Sequence, residues 1–253
     1  MEPIQDVPRP RNRHIYLLPN LLTTCGLFSG FYAILAAASN NFEHACIAIF
    51  VAGLFDGVDG RVARLTGTSS EFGVQYDSLA DLVSFGMAPA LVMYHWALSD
   101  MRLDGVLAGR LGWAAAFLYV ACAALRLARF NTQVGVIDKR WFIGLNSPSS
   151  AALMTSFVWS MTEFGYGGVE FRYLAAALTV ACGLLMVSRL RYTSFKGEKS
   201  SERIPFWMML VIVGILVALR IDTPRVVLSM SVAYALSGPM LWLWHKARPR
   251  PAT

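Results

Sequence analysis

Asp56 and Asp59 stand three residues apart, Asp77 and Asp81 four apart, and Arg64 follows the first pair on the next turn; all lie in one stretch, DGVDGRVARLTGTSSEFGVQYDSLAD, of an otherwise apolar chain. Residues at these spacings share one face of a helix. Two neighbouring helices can therefore each project two carboxylates toward a common point. Ionised carboxylates are costly near a bilayer core, and an acidic cluster there marks a functional site. Four negative charges need a counter-charge, and two divalent cations balance them. No Cys or His accompanies the aspartates, so the donors are hard oxygens, which suit Mg²⁺ or Mn²⁺ rather than zinc. Paired metals a few ångströms apart are one device for displacement at phosphorus.

The elements that would position these side chains are spanning helices. Of the 253 residues 56% are hydrophobic and 15% charged, and the mean hydropathy is +0.49, outside the usual range of a soluble domain. Apolar runs near 17–38, 43–62, 76–98, 111–130, 148–163, 171–188, 204–220 and 225–244 predict an all-α, polytopic integral membrane bundle of about eight transmembrane helices. Around them we expect a basic N-terminal arm at 1–16, a membrane core at 17–191 and a polar loop at 192–203. A C-terminal pair of helices at 204–245 and a basic tail at 246–253 complete the chain. Gly26 and Gly30, like Gly53 and Gly57, are spaced for close helix approach within the bundle. Cys25, Cys46, Cys122 and Cys182 lie in apolar segments at no metal-ligand spacing and read as core residues.

Basic residues orient the bundle. With a cytoplasmic N-terminus and eight spans, only Arg102, Arg110, Arg172, Arg220 and Arg225 of the 22 Lys and Arg fall on the outer side. The aspartates then face the cytoplasm, in a cytoplasmic (inner) membrane. The net charge of +6 fits attraction to anionic membrane lipids, and nothing in the chain reads as a nucleic-acid module.

The spacing resembles the signature of the CDP-alcohol phosphatidyltransferases, D-x2-D-G-x2-A-R-x8-G-x3-D-x3-D. Asp56, Asp59, Gly60, Ala63, Arg64, Gly73, Asp77 and Asp81 meet every fixed position. The resemblance implies displacement of CMP from a CDP-linked lipid by an alcohol. It implies that Asp56, Asp59 and Asp77 hold the metal at the pyrophosphate, and that Asp81 helps hold a second metal and takes the proton of the attacking hydroxyl. It also implies a homodimer. Arg64 can donate a forked pair of hydrogen bonds to phosphate. Gly60 and Gly73 leave room for the nucleotide of CDP-diacylglycerol, with Ala63 beside them, and loop hydroxyls such as Thr68 are candidates for the cytidine.

LRLARFN at 125–131, FIGLNSPSSA at 142–151 and PNLLT at 19–23 resemble the family's serine-accepting members. That resemblance implies L-serine as the acceptor and phosphatidylserine as the product. Arg126 and Arg129 could bind the carboxylate of serine bidentately, with Ser147 beside them and polar contacts to serine or the lipid headgroup from Asn20, Thr23, Asn131 and Asn146. Ser147-Pro148 predicts a helix start with serine as the cap. Asn146 stands where the family has proline, and Ser149 and Ser150 where it has small apolar residues. Glycerol 3-phosphate, inositol phosphate and choline are the alternative acceptors. A cation-coupled transporter and an intramembrane prenyltransferase are the alternatives outside the family; the first would show repeat-related broken helices and the second a different aspartate spacing.

Overall fold

A computed structural model describes residues 17–67, 70–133, 141–193, 213–214 and 217–247. The chain is a bundle built from α1 (Leu17–Ala38), α2 (Phe42–Thr66), α3 (Glu71–Asp81), α4 (Ala88–Trp96), α5 (Val106–Gln133), α6 (Ser147–Glu163), α7 (Gly168–Val187) and α8 (Thr223–Ala247). Residues 217–221 are also helical. Among the described residues, five stretches are long and apolar enough to cross a membrane: Leu18–Ala38, Glu71–Asp104, Val106–Thr132, Gly168–Val187 and Thr223–Trp244. α2 carries the motif charges along its second half, and α6, at 17 residues, is short for a bilayer. Most of the expected span at 204–220, the arm at 1–16 and most of the loop at 192–203 lie outside the described residues. The helical class holds, with one small addition. Trp141–Ile143 (β1) and Arg191–Thr193 (β2) pair antiparallel, tying the chain before α6 to the chain after α7.

Small side chains set the packing. α1 lies along α2 through the buried alanines Ala33, Ala37, Ala45 and Ala52. Gly26 faces Phe55 and Ala52 of α2, Gly53 faces Phe85, and Gly30 lies so close to Ser84 that a β-carbon there would collide with it. Gly26, Gly30 and Gly53 thus serve contacts inside the chain, as the small-residue spacing predicts, whereas at Gly57 no described atom lies within 4 Å of where a β-carbon would stand. Cys46, Cys122 and Cys182 are buried, and all four cysteines are free.

The rod that begins with α3 is not uniform. Between Asp81 and α4 the backbone takes a π-helical turn, Leu82–Met87, in which the Ala88 N–H donates to the Val83 carbonyl, five residues back. Pro89 accounts for part of this. It has no N–H to offer the Phe85 carbonyl four residues earlier, so that buried acceptor needs another donor, and the Tyr119 hydroxyl of α5 supplies it at 3.0 Å. Ser84 in the same turn donates to the Gly26 carbonyl of α1 at 3.2 Å. The inserted turn shifts the facing of Asp81 relative to α4, and α1 and α5 hold it from both sides. Tyr119→Phe should leave the Phe85 carbonyl without a donor and lower stability by about 1–3 kcal/mol. Thermal unfolding in detergent measures this; an unchanged melting temperature would deny the bond its role.

At the far end of the rod, a 3₁₀ segment (Leu98–Asp104) is fastened to α7. Arg172 forks onto Asp104, with Nη2 donating to Oδ1 at 2.7 Å, and the Tyr173 hydroxyl donates to the same carboxylate at 2.9 Å. Gly168 lies directly against the Trp96 carbonyl, where a β-carbon would have no room.

Candidate active site

α2 ends at Gly67, whose left-handed φ of 62° lets its N–H return to the Ala63 carbonyl. α3 begins at Ser70, whose hydroxyl accepts the Gly73 N–H at 3.0 Å. This short, doubly capped connection brings Asp77 back toward Asp56 and Asp59. One carboxylate oxygen from each of the three lies within 4.8 Å of the others. Asp81, one turn further along α3, reaches Asp56 within hydrogen-bonding range and so stands beside the trio rather than inside it. Asp59 is buried, and Thr23 of α1 donates to its Oδ2 at 2.7 Å. A third helix therefore fixes one carboxylate. Converging oxygen donors from two helices, without sulfur or nitrogen, suit a divalent cation.

A cleft of about 210 Å³ opens beside these carboxylates. Its walls are Asp59, Gly60, Ala63 and Arg64 of α2, Gly73 and Asp77 of α3, and Pro19, Asn20 and Thr23 of α1. The cleft thus gathers much of the aspartate signature. Asn20 and Thr23, expected among the polar contacts to serine or the lipid headgroup, both line this cleft with the residues expected to meet the nucleotide. Open space lies over Gly60, broken only by the Arg64 guanidinium, whereas Gly73 is pressed by Ser70 and by the Asn20 side chain. Thr68 lies outside the described residues.

A second polar group forms where α5 approaches α3 and α6. Arg126 donates through Nη1 to the Ser147 hydroxyl at 3.1 Å. Its Nε is buried with no hydrogen-bond partner among the described residues, and its charge is close enough to Asp81 for the two to interact. Asn131 donates to Ser78 of α3 at 3.0 Å; Ser78 directly follows Asp77 and was not singled out from the sequence. Arg129 is half-buried on the turn after Arg126. Asn146 has another task. Its Oδ1 accepts the Ser149 N–H at 2.8 Å and caps α6, so the cap is Asn146 and not Ser147. Ser147 is freed to meet Arg126.

Fold and site together define a multi-pass helical membrane protein with an acidic centre beside a polar cleft. Residues 16–186 match the CDP-alcohol phosphatidyltransferase family, and the chain belongs to that family. It is similar to the CDP-diacylglycerol–serine O-phosphatidyltransferase of Helicobacter pylori, at 36% identity over 233 residues covering 91% of this chain and 92% of the relative. The protein of the same name from Methanocaldococcus jannaschii is 31% identical over 226 residues, covering 89% and 94%. The archaetidylserine synthase of Methanothermobacter thermautotrophicus is 37% identical over 186 residues, covering 73% and 72%.

Proposed function

We infer that the protein transfers the phosphatidyl group of CDP-diacylglycerol to L-serine, forming phosphatidylserine and CMP. The observation that carries this reading is the convergence of Asp56, Asp59 and Asp77 beside a cleft walled by Gly60, Arg64 and Gly73, in a chain whose relatives are named for that reaction.

The nucleotide and its pyrophosphate occupy the cleft, and the acyl chains leave it sideways into lipid. Arg64 directs its guanidinium at a phosphate and offsets the charge that develops on departing CMP. Asn20 and Thr23 border the nucleotide, and Thr23 also keeps Asp59 oriented. Serine enters from the side of Arg126, which offers its unpartnered Nε to the carboxylate, with Arg129 adding positive charge. Asn131 and Ser147 hold that end of α5 against α3 and α6. The serine hydroxyl gives its proton to Asp81 as its oxygen bonds the lipid-side phosphorus, and the bond from that phosphorus to CMP breaks. Two divalent cations, Mg²⁺ or Mn²⁺, held by Asp56, Asp59, Asp77 and Asp81, would neutralise the pyrophosphate and the charge of the displacement. Holding both reactants in register on rigid helices lowers the entropic part of the barrier.

The distribution of Lys and Arg supports a cytoplasmic site in an inner membrane, with basic loops drawn to anionic lipids. A homodimer and eight spans complete the reading, with the membrane core at 17–191 followed by a C-terminal helical pair. The test is an acceptor panel. Purified protein receives CDP-diacylglycerol, a divalent cation and, in turn, L-serine, glycerol 3-phosphate, inositol phosphate or choline. Serine should yield one lipid product per CMP released, at least tenfold faster than any other alcohol. Equal or better turnover with another acceptor would overturn the choice of serine.

A further inference from the structure

The match to the family model ends at residue 186; α8, which begins at Thr223, lies beyond it and packs against α6. How it is seated is specific. Tyr192 of β2 is fully buried and donates to the Ala235 carbonyl of α8 at 3.2 Å. Gly238, one turn further along, lies against the Tyr192 ring so tightly that any β-carbon there would collide with it. Tyr234 packs on Tyr192 with the rings tilted at 36° and their centroids 5.6 Å apart. It is half-buried, packs against the core, and lies near enough to the Arg126 guanidinium for the two to interact. Leu236, Met240 and Leu243 of the same helix are exposed, as lipid-facing residues are. A lipid-facing helix needs only apolar contact. Here the helix carries a half-buried phenol within electrostatic range of an arginine whose buried Nε has no hydrogen-bond partner among the described residues.

We propose that α8 closes the acceptor side of the cavity, with Tyr234 as a specificity-determining residue whose hydroxyl donates to the serine carboxylate beside Arg126. The proposal rests on the reading that Arg126 receives that carboxylate. Tyr192 and Gly238 set the depth of α8, and the ribbon β1–β2 fixes Tyr192 relative to α6. The helix outside the family core thus helps to select the alcohol, while the donor lipid is handled by α1, α2 and α3.

The test compares Tyr234→Phe, Arg126→Gln and, as a lipid-facing control on the same helix, Leu236→Ala. Steady-state constants are measured for serine, for CDP-diacylglycerol and for serinol, which keeps a hydroxyl and the amine but lacks the carboxylate. Tyr234→Phe should raise the KM for serine at least fivefold, move that for CDP-diacylglycerol less than twofold, and leave turnover of serinol unchanged. Arg126→Gln should show the same pattern more strongly, and Leu236→Ala should show none of it. If Arg126→Gln raises the serine KM while Tyr234→Phe does not, the proposal for α8 fails and the Arg126 reading stands. If Arg126→Gln spares the serine KM, the underlying reading fails. Equal effects of Tyr234→Phe on serine and serinol, or equal effects of Tyr234→Phe and Leu236→Ala, would reduce α8 to scaffold.

Discussion

Asp81→Asn should slow CMP release by about a thousandfold, in the middle of the range for loss of a general base, while CDP-diacylglycerol still binds. The substitution keeps the shape of the side chain and removes its capacity to accept the serine proton. Asp81 stands beside the three-carboxylate cluster, with Asp56 as its hydrogen-bonding neighbour, and is not among the residues lining the cleft of Asp59, Gly60 and Arg64, which should survive. Single-turnover measurement with saturating serine, together with a thermal shift produced by CDP-diacylglycerol, separates the two effects. Turnover within tenfold of the unaltered protein would remove Asp81 from the proton transfer.

The second large effect belongs to Asp77. It is the one member of the cluster supplied by α3; Asp56 and Asp59 both come from α2. Asp77→Ala therefore removes the α3 donor of the cluster and leaves that helix only Asp81, whereas either α2 substitution would leave one cluster donor on each helix. Activity should fall by roughly a hundredfold or more, on the scale of losing a group that stabilises transition-state charge. The divalent-ion concentration for half-maximal activity should rise in parallel. Titrating Mn²⁺ against the variant and following free ion by electron paramagnetic resonance checks the binding directly. An unaltered ion affinity would place the metal elsewhere.

Local pattern carried much of this site. Asp56, Asp59, Gly60, Ala63 and Arg64 share a single helix, and the spacing of Asp77 and Asp81 follows from the next one, so sequence periodicity sufficed to bring them together. The capped turn at Gly67 and Ser70 follows ordinary rules of helix ends. What depends on tertiary approach was not legible. Thr23 bonds Asp59 across 36 residues, and no helical period connects α1 to α2. Asn20 and Thr23 therefore read from the sequence as acceptor or headgroup contacts, whereas the fold sets them in the cleft beside Asp59 and Gly60. The cap of α6 was placed one residue late because Ser147-Pro148 is as good a local signal as Asn146; the buried Arg126 guanidinium decides between them by recruiting Ser147.

The π turn at Leu82–Met87 was hidden for a related reason. The apolar run continues through it without a break, and its cause lies partly in Pro89 and partly in a hydroxyl from α5. Tyr234 offered no signal at all, since an isolated tyrosine in an apolar helix reads as an interfacial residue. Its packing against Tyr192, which Ala235 and Gly238 seat on α8, is a tertiary contact that no local pattern carries.

The most direct measurement is anomalous diffraction from crystals grown with Mn²⁺ and CDP-diacylglycerol. The account predicts two manganese peaks between α2 and α3, bounded by Asp56, Asp59, Asp77 and Asp81, with the pyrophosphate beside Arg64. Manganese bound away from these carboxylates, or a nucleotide seated outside the cleft of Asn20, Gly60 and Gly73, would contradict it.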